Sequence, residues 1–515
     1  MTLEDPAEKG FTTDQDGITD VSAPEETPTE GLTPDVLIDA PPTAGVIDQA
    51  AVDQAVDLSV LDTRPRPGPA RDYHFPRFER IRLTNGLTVV HSNLPGRALL
   101  AAQIMFPGGG WTEAPDQGGI TVLTGRAMPE GTLQRDGNEF IEASERLGAE
   151  MHAESTWEVL TASMEVPRSH FGAALALLAE MVFEPGFPDE EVERLRDERM
   201  NDLMQAWSDP RRRSERVFPE TVFPEGSPYR RPLAGTQTTV SGLDRAAVVA
   251  RHRELLDPSR ATLVVAGDLG GVRLAELAEE HLGGRTADAG ARAADASPSV
   301  GSAPGVGGIV LVDKPGAPQS EIRIGHVGVA RKTADFHSIV VLNAILGGTF
   351  NSRLNRILRE EKGYTYGISS AFDMRRRPGP FVVRTAVETA MTMPSIEEIL
   401  RIVRDFLDAE VEADELAIAR DYLVGVFPLR FEGAAQVASA LGGLAALELP
   451  DDELDQYRPA VSAISARDVL EAARRHIRPD ELSVVVVGDA SEVEPKLRAA
   501  GLGELTVVPA DAAVE

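Results

Sequence analysis

The chain has no cysteine. Disulfides, thiolate metal sites and cysteine nucleophiles are therefore excluded. Histidine is sparse and scattered. His74, His91, His152, His170, His252, His281, His326, His337 and His476 never fall within five residues of one another. There is no His-Glu-x-x-His, no inverted His-x-x-Glu-His and no helical histidine pair at i, i+4, so no local metal motif is present. The glycine-rich stretches "MFPGGGWTEAPDQGG" and "AILGGTFNSR" lack the lysine followed by serine or threonine that a phosphate loop requires. No Gly-x-Ser-x-Gly offers a serine nucleophile. No stretch approaches 18 uncharged apolar residues, so no membrane span is expected. The opening "MTLEDPAEKG" has neither a basic segment nor an apolar one, so no secretory signal is expected and the cytoplasm is the expected location.

Positive charge is also short. Lys and Arg number 51 against 82 Asp and Glu, for a net charge of -31. Phosphate backbones and anionic lipid surfaces would be repelled, so neither nucleic acid nor membrane is an expected partner. The charge suits a chain kept soluble by self-repulsion and says nothing about fold.

What is present is enough apolar sequence for sizeable cores: 42% of 515 residues are hydrophobic. Residues 1–72 are acidic and rich in Pro, Thr, Asp and Ala, and read as a disordered tail. Order is expected from "FERIRLTNGLTVVHSN", where Asn85-Gly86 between two alternating runs signals a hairpin. Strand and helix patterns then mix without strict alternation, which indicates an α+β fold. A first domain over 73–283 ends at "GRTADAGARAADASPSVGSAPGVG", a flexible linker over 284–307. A second domain runs over 308–508. The two look like copies. Gly267-Asp268 and Gly488-Asp489 close apolar strands, with Pro258 and Pro479 at the same distance before them. Each strand follows an amphipathic helix, "AAVVARHRELL" and "ARDVLEAARRHI". The repeat, about 220 residues, is an internal duplication of a domain. Arg211, Arg212 and Arg213 read as a solvated helix face, and Arg375, Arg376 and Arg377 before Pro378 as a hairpin tip.

With this organisation, the chain resembles the pitrilysin/insulinase family of zinc metallopeptidases, in the short-chain branch that includes mitochondrial processing peptidase. The likeness covers about 75 to 500. Its carriers are "LTNGLTVV", "FEPGFPDEEVERLRDE", "GSPYRRPLAGTQTTVSGL", "LVVAGD", "LNAILGGTFNSRLNRILREEKGYTYGISS" and "EADELAIARDYLVG", in that order. The resemblance implies two homologous α/β-sandwich domains forming half of a clamshell around an unfolded peptide. Active chains carry His-x-x-Glu-His between a Gly and a Gly-Thr, here "GITVLTGRAMPEGT". The ligand histidines fall on Val122 and Arg126 and the general-base glutamate on Gly125. The third ligand falls near Asp202. Valine has no lone pair, glycine no side chain, and arginine is a fixed cation. The resemblance therefore implies a subunit inactive alone, with no cofactor of its own.

The family also places an arginine and a tyrosine seven positions apart in its second domain, across the cavity from zinc; here they are Arg359 and Tyr366. "FNSRLNRILREEK" reads as a helix with Leu354, Ile357 and Leu358 inward and a stop at Gly363. A strand carrying Tyr364 and Tyr366 on one face is expected after it. The implied role is to hold peptide for a homologous zinc-bearing partner subunit, in a heterodimeric processing-type peptidase. The alternative is a structural or peptide-binding scaffold with no part in catalysis.

Overall fold

The computed structural model describes Gly68, residues 71–287 and residues 307–510. The expected tail lies outside the described residues apart from Gly68, Arg71 and Asp72, and the expected linker apart from 284–287 and Gly307. The described chain builds two six-stranded sheets. The first contains β1 (Glu79–Arg82), β2 (Thr88–Asn93), β3 (Leu99–Pro107), β4 (Glu150–Ser155), β5 (Val159–Pro167) and β6 (Thr262–Gly267), in the order β1-β2-β6-β3-β5-β4. The second contains β7 (Ile309–Asp313), β8 (Gln319–Val327), β9 (Ile368–Phe372), β10 (Pro380–Glu388), β11 (Ser483–Gly488) and β12 (Leu505–Val508), in the order β12-β7-β11-β8-β10-β9. Helices mix with both sheets, so the fold is α+β.

The duplication is visible in the topology. Five strands follow one order in both halves, β2-β6-β3-β5-β4 and β7-β11-β8-β10-β9, each beginning with a parallel pair and otherwise antiparallel. Only the outermost strand differs. In the first half it is β1, joined to β2 by the Asn85-Gly86 hairpin, where Gly86 takes φ 91°. In the second half it is β12, contributed from near the C-terminus and parallel to β7. The Gly-Asp pairs that end β6 and β11 repeat the same clamp. Asp268 accepts the Gly96 N–H at 3.3 Å, and Asp489 accepts the Gly316 N–H at 2.8 Å.

The first half supplies α1 (Ile120–Ala127), α2 (Phe171–Phe183), α3 (Asp189–Ser208), α4 (Pro210–Val222) and α5 (Arg245–Leu255) besides its sheet. Leu100, Ile104, Leu160, Leu175, Leu178 and Leu263 form a core on one face of it. The second half supplies α6 (Phe336–Asn343), α7 (Thr392–Asp405), α8 (Ala413–Val426), α9 (Ala434–Ala446) and α10 (Ala466–His476), and Ile324, Leu342, Phe381, Ile396, Val469 and Val484 belong to its core.

The other face of each sheet is covered by a helix from the opposite half. Helix α4 lies on β8 and β11, with Val217 and Phe218 against Val312, Val485 and Val487. Helix α9 lies on β3 and β6, with Val437 and Leu441 in one core with Ala101, Met105 and Val264. Both exchanges carry a polar pin. Gln103 Nε2 donates to Ala438 O at 2.8 Å, and Arg323 Nε donates to Ser214 Oγ at 2.8 Å.

This exchange corrects the reading of the Arg211–Arg213 run as a solvated face at Arg213, while Arg211 is exposed as expected. Arg213 is 4% exposed. Its guanidinium lies 3.8 Å from the Trp207 ring centroid and donates to Asp313 O at 3.4 Å and Pro509 O at 3.2 Å. The β9–β10 tip is likewise clasped by the first half. Arg375 lies 4.5 Å from the Tyr229 ring centroid, Arg377 lies 4.1 Å from that of Trp111, and the Arg376 N–H reaches Glu158 at 3.3 Å.

Candidate functional site

Two corners hold the residues singled out by sequence. The first is α1. Its N-terminus is fixed by Glu113, whose buried carboxylate accepts the N–H groups of Gly119 at 3.0 Å and Thr121 at 2.9 Å. An acid at a helix start satisfies orphan donors and suits the helix dipole. Arg231, from "GSPYRRPLAG", neutralises Glu113 at 2.9 Å and donates to Gly110 O at 3.0 Å. Arg251 of α5, 4% exposed, donates to Thr121 Oγ1 at 3.0 Å and Gly108 O at 2.7 Å. Sequence reasoning passed over Glu113 and Arg251. A lone acid ahead of a glycine pair carries little signal, and Arg251 sits in a run of mixed charge.

Along α1, Val122 is half-buried, Gly125 buried and Arg126 exposed. A Cβ at Gly125 would lie 3.2 Å from Leu160 Cδ1, so any side chain there requires Leu160 to move. Arg126 donates to Glu198 of α3 at 3.0 Å. Glu198 also receives Arg194 at 2.6 Å, and Arg194 continues to Glu191 at 2.6 Å and Glu130 at 2.8 Å. Arg194 and, secondarily, Arg126 hold the Glu198 carboxyl below its usual range. Asp202, one turn further along α3, is taken by Arg199 and by Arg212 at 2.7 Å. Burial works against the Asp202 charge, but Arg212 and Arg199 outweigh it and keep its carboxyl below the usual range.

The arrangement does not fit zinc. A zinc site needs three protein donors converging on one point. The acids beside α1 point at arginines, and Val122 and Gly125 offer nothing. Among the described residues no group of three or more His, Asp or Glu is placed to hold a metal ion.

The second corner holds Arg359 and Tyr366. Asn355–Glu361 is wound as a π-helix, with Leu354 and Leu358 fully buried. Gly363 ends it at φ 66°, and the Tyr364 N–H returns to Leu358 O at 2.8 Å. The structure departs from the expected strand: β9 begins only at Ile368, so Tyr364 and Tyr366 stand in the connecting loop. Thr365 explains the delay. Its hydroxyl is held between Gly367 O at 2.9 Å and Ala386 O at 2.8 Å, and Asn355 Nδ2 takes Ile368 O at 2.7 Å. The loop still brings the two residues together. The Arg359 guanidinium lies 5.6 Å from the Tyr366 ring centroid and 4.3 Å from that of Phe350. Tyr366 is 93% exposed, and among the described residues no carboxylate pairs with Arg359. Tyr364 pairs instead with Lys362, at 5.7 Å.

Residues 88–237 match the family model described as insulinase, peptidase family M16, and residues 242–423 match that of the peptidase M16 inactive domain. The chain belongs to the insulinase (M16) peptidase family. It is a member whose first half lacks the metal-binding motif of the family's active chains. An uncharacterized zinc protease of Mycobacterium leprae is 27% identical over 70% of this chain and 81% of its own length. A Helicobacter pylori protein described as a non-peptidase homolog is 20% identical over 75% of this chain and 88% of its own. Among solved structures, an M16 inactive domain from Pseudomonas fluorescens superposes with TM-score 0.74 at 20% identity, covering 80% of this chain and 98% of that one. A Helicobacter pylori protease superposes with TM-score 0.74 at 18% identity, covering 81% and 100%. These last two likenesses concern the fold.

Proposed function

We propose that this chain is the non-catalytic, substrate-holding subunit of a two-chain zinc metallopeptidase acting on unfolded peptides. Its partner is a homologous chain that carries His-x-x-Glu-His and supplies the zinc. The observation that carries this reading is the open state of the Arg359–Tyr366 pair. An arginine kept for stability is ordinarily neutralised by a carboxylate, whereas this half-buried one lies beside two aromatic rings and, among the described residues, has no carboxylate partner. A guanidinium held this way offers a planar fork to peptide carbonyls or carboxylates. A phenol beside it offers one further donor to a carbonyl oxygen as negative charge develops there.

The test is co-expression with a neighbouring gene that encodes the His-x-x-Glu-His motif, followed by peptide-cleavage assays of each chain alone and mixed. This chain alone is expected to be inactive and the mixture active. Tyr366→Phe is expected to lower kcat by about 10²–10³ with pairing intact. Arg359→Ala is expected to raise KM as well, and Tyr364→Phe to matter less. Equal cleavage by the Tyr366→Phe and Arg359→Ala complexes would support the second reading, a scaffold without a catalytic part. The Helicobacter pylori relative described as a non-peptidase homolog favours that alternative.

A further inference from the structure

A pocket of about 300 Å³ opens between α6, α8 and the β9–β10 hairpin of the second half. Ile339, Phe372, Met374 and Leu423 give it apolar walls. Its polar side chains, Asn343, Thr349, Tyr422, Arg430 and Tyr457, all carry donors. The Asn343 amide oxygen accepts the Ser370 hydroxyl at 2.8 Å, which leaves the Asn343 N–H groups for a ligand. Arg430 lies at the exposed mouth, and among the described residues no carboxylate pairs with it. Tyr457 is 6% exposed, its ring stacked on Phe427 at 4.3 Å, and its buried hydroxyl faces the Arg430 guanidinium. Among the described residues no aspartate or glutamate lines the space.

Buried polar groups are ordinarily satisfied, and a guanidinium with no carboxylate partner among the described residues, set beside a phenol and an amide donor in an apolar hollow, suits an anionic ligand. We propose that this pocket binds a small apolar monocarboxylate. Its carboxylate takes the donors of Arg430, Tyr457 and Asn343, and its hydrocarbon portion lies against Ile339, Phe372 and Leu423. The charge-assisted contact to Arg430 selects acids over neutral molecules of the same shape. A dicarboxylate is disfavoured because its second charge would be left unpaired against the apolar walls. The pocket shares none of its lining with Arg359 or Tyr366, so the inference stands apart from the peptidase reading.

The test is calorimetric titration of the full chain with octanoate and with 3-phenylpropionate, using 1-octanol as the neutral probe. Both acids are expected to saturate one site per chain and to compete, with octanol binding at least about tenfold more weakly. Arg430→Met is expected to weaken both acids about tenfold or more and leave octanol unchanged; Arg430 is exposed, so the variant keeps its fold. Tyr457→Phe is expected to weaken the acids severalfold. Absence of saturable binding, or acid binding indifferent to Arg430→Met and Tyr457→Phe, would overturn the proposal.

Discussion

Gln103 and Arg323 occupy equivalent positions in the two sheets. Gln103 stands opposite Val264, the third residue of β6, and Arg323 opposite Val485, the third residue of β11. Each holds the helix lent by the other half, Gln103 through Ala438 and Arg323 through Ser214. Duplication has preserved a place for a polar pin while the two halves diverged in its chemistry.

The Arg323 pin should be the costlier to break. Arg323 is 4% exposed, and burial opposes its charge against the pull of Glu215. Ser214→Ala strands the guanidinium Nε in the interface. A hydrogen bond to a charged group contributes about 1.5–3 kcal/mol, and denaturant unfolding of Ser214→Ala is expected to show a loss in that range. A midpoint unchanged from wild type would show that water replaces the hydroxyl.

Acid should weaken the second half through His326. The ring is 2% exposed; its Nδ1–H donates to Val327 O at 2.8 Å and its Nε2 accepts the Arg478 N–H at 3.1 Å. Burial, with help from Arg478, pushes its pKa down to about 4. The unfolded chain then binds the proton first. Stability is fully present above about pH 6.5 and is lost as the pH falls through that value toward 4, by on the order of 3 kcal/mol. Urea midpoints between pH 7 and 4.5 should fall more steeply for wild type than for His326→Gln. Parallel curves would remove His326 as the cause.

Metal analysis after dialysis should find no stoichiometric zinc. The triple variant Val122→His, Gly125→Glu, Arg126→His should also bind less than one equivalent. Leu160 crowds position 125, and Arg199 and Arg212 still hold Asp202. Adding Arg199→Ala and Arg212→Ala should raise zinc uptake. One tightly held zinc in the triple variant alone would show that the arginine clamps yield.

The Arg359–Tyr366 corner should contribute little to folding. With Tyr366 93% exposed and Arg359 lacking an ion pair among the described residues, Tyr366→Phe and Arg359→Ala are each expected to change stability by less than about 0.5 kcal/mol. A loss of several kcal/mol in thermal or urea unfolding would mark them as structural residues.

Much of the fold was legible in local chemistry. Asn85-Gly86 announced the β1–β2 hairpin, and the paired Gly-Asp signals at 267–268 and 488–489 announced two related halves. The helix exchange was not legible. The apolar residues of α4 and α9 say that one face is buried, not whose sheet buries it. The burial of Arg213 is hidden from local sequence in the same way: its carbonyl partners, Asp313 and Pro509, lie 100 and 296 residues away. At the site, the missing metal donors were plain from residue type. The arginine network in their place was not, because Glu198 and Asp202 meet Arg126 and Arg212 only through helix packing. The loop carrying Tyr366 alternates as a strand does, yet Thr365, turned onto Gly367 and Ala386, postpones the ladder.

The reciprocal loan of α4 and α9 has the form of an isologous contact between two subunits, written into one chain. Covalent joining turns what would be a second-order association into an intramolecular one, governed by effective concentration rather than by dilution. Weakening either borrowed helix therefore cannot dissociate the halves. It raises the frequency with which they part and reclose, so injury to this interface would be felt as a change in opening rate rather than as loss of a partner.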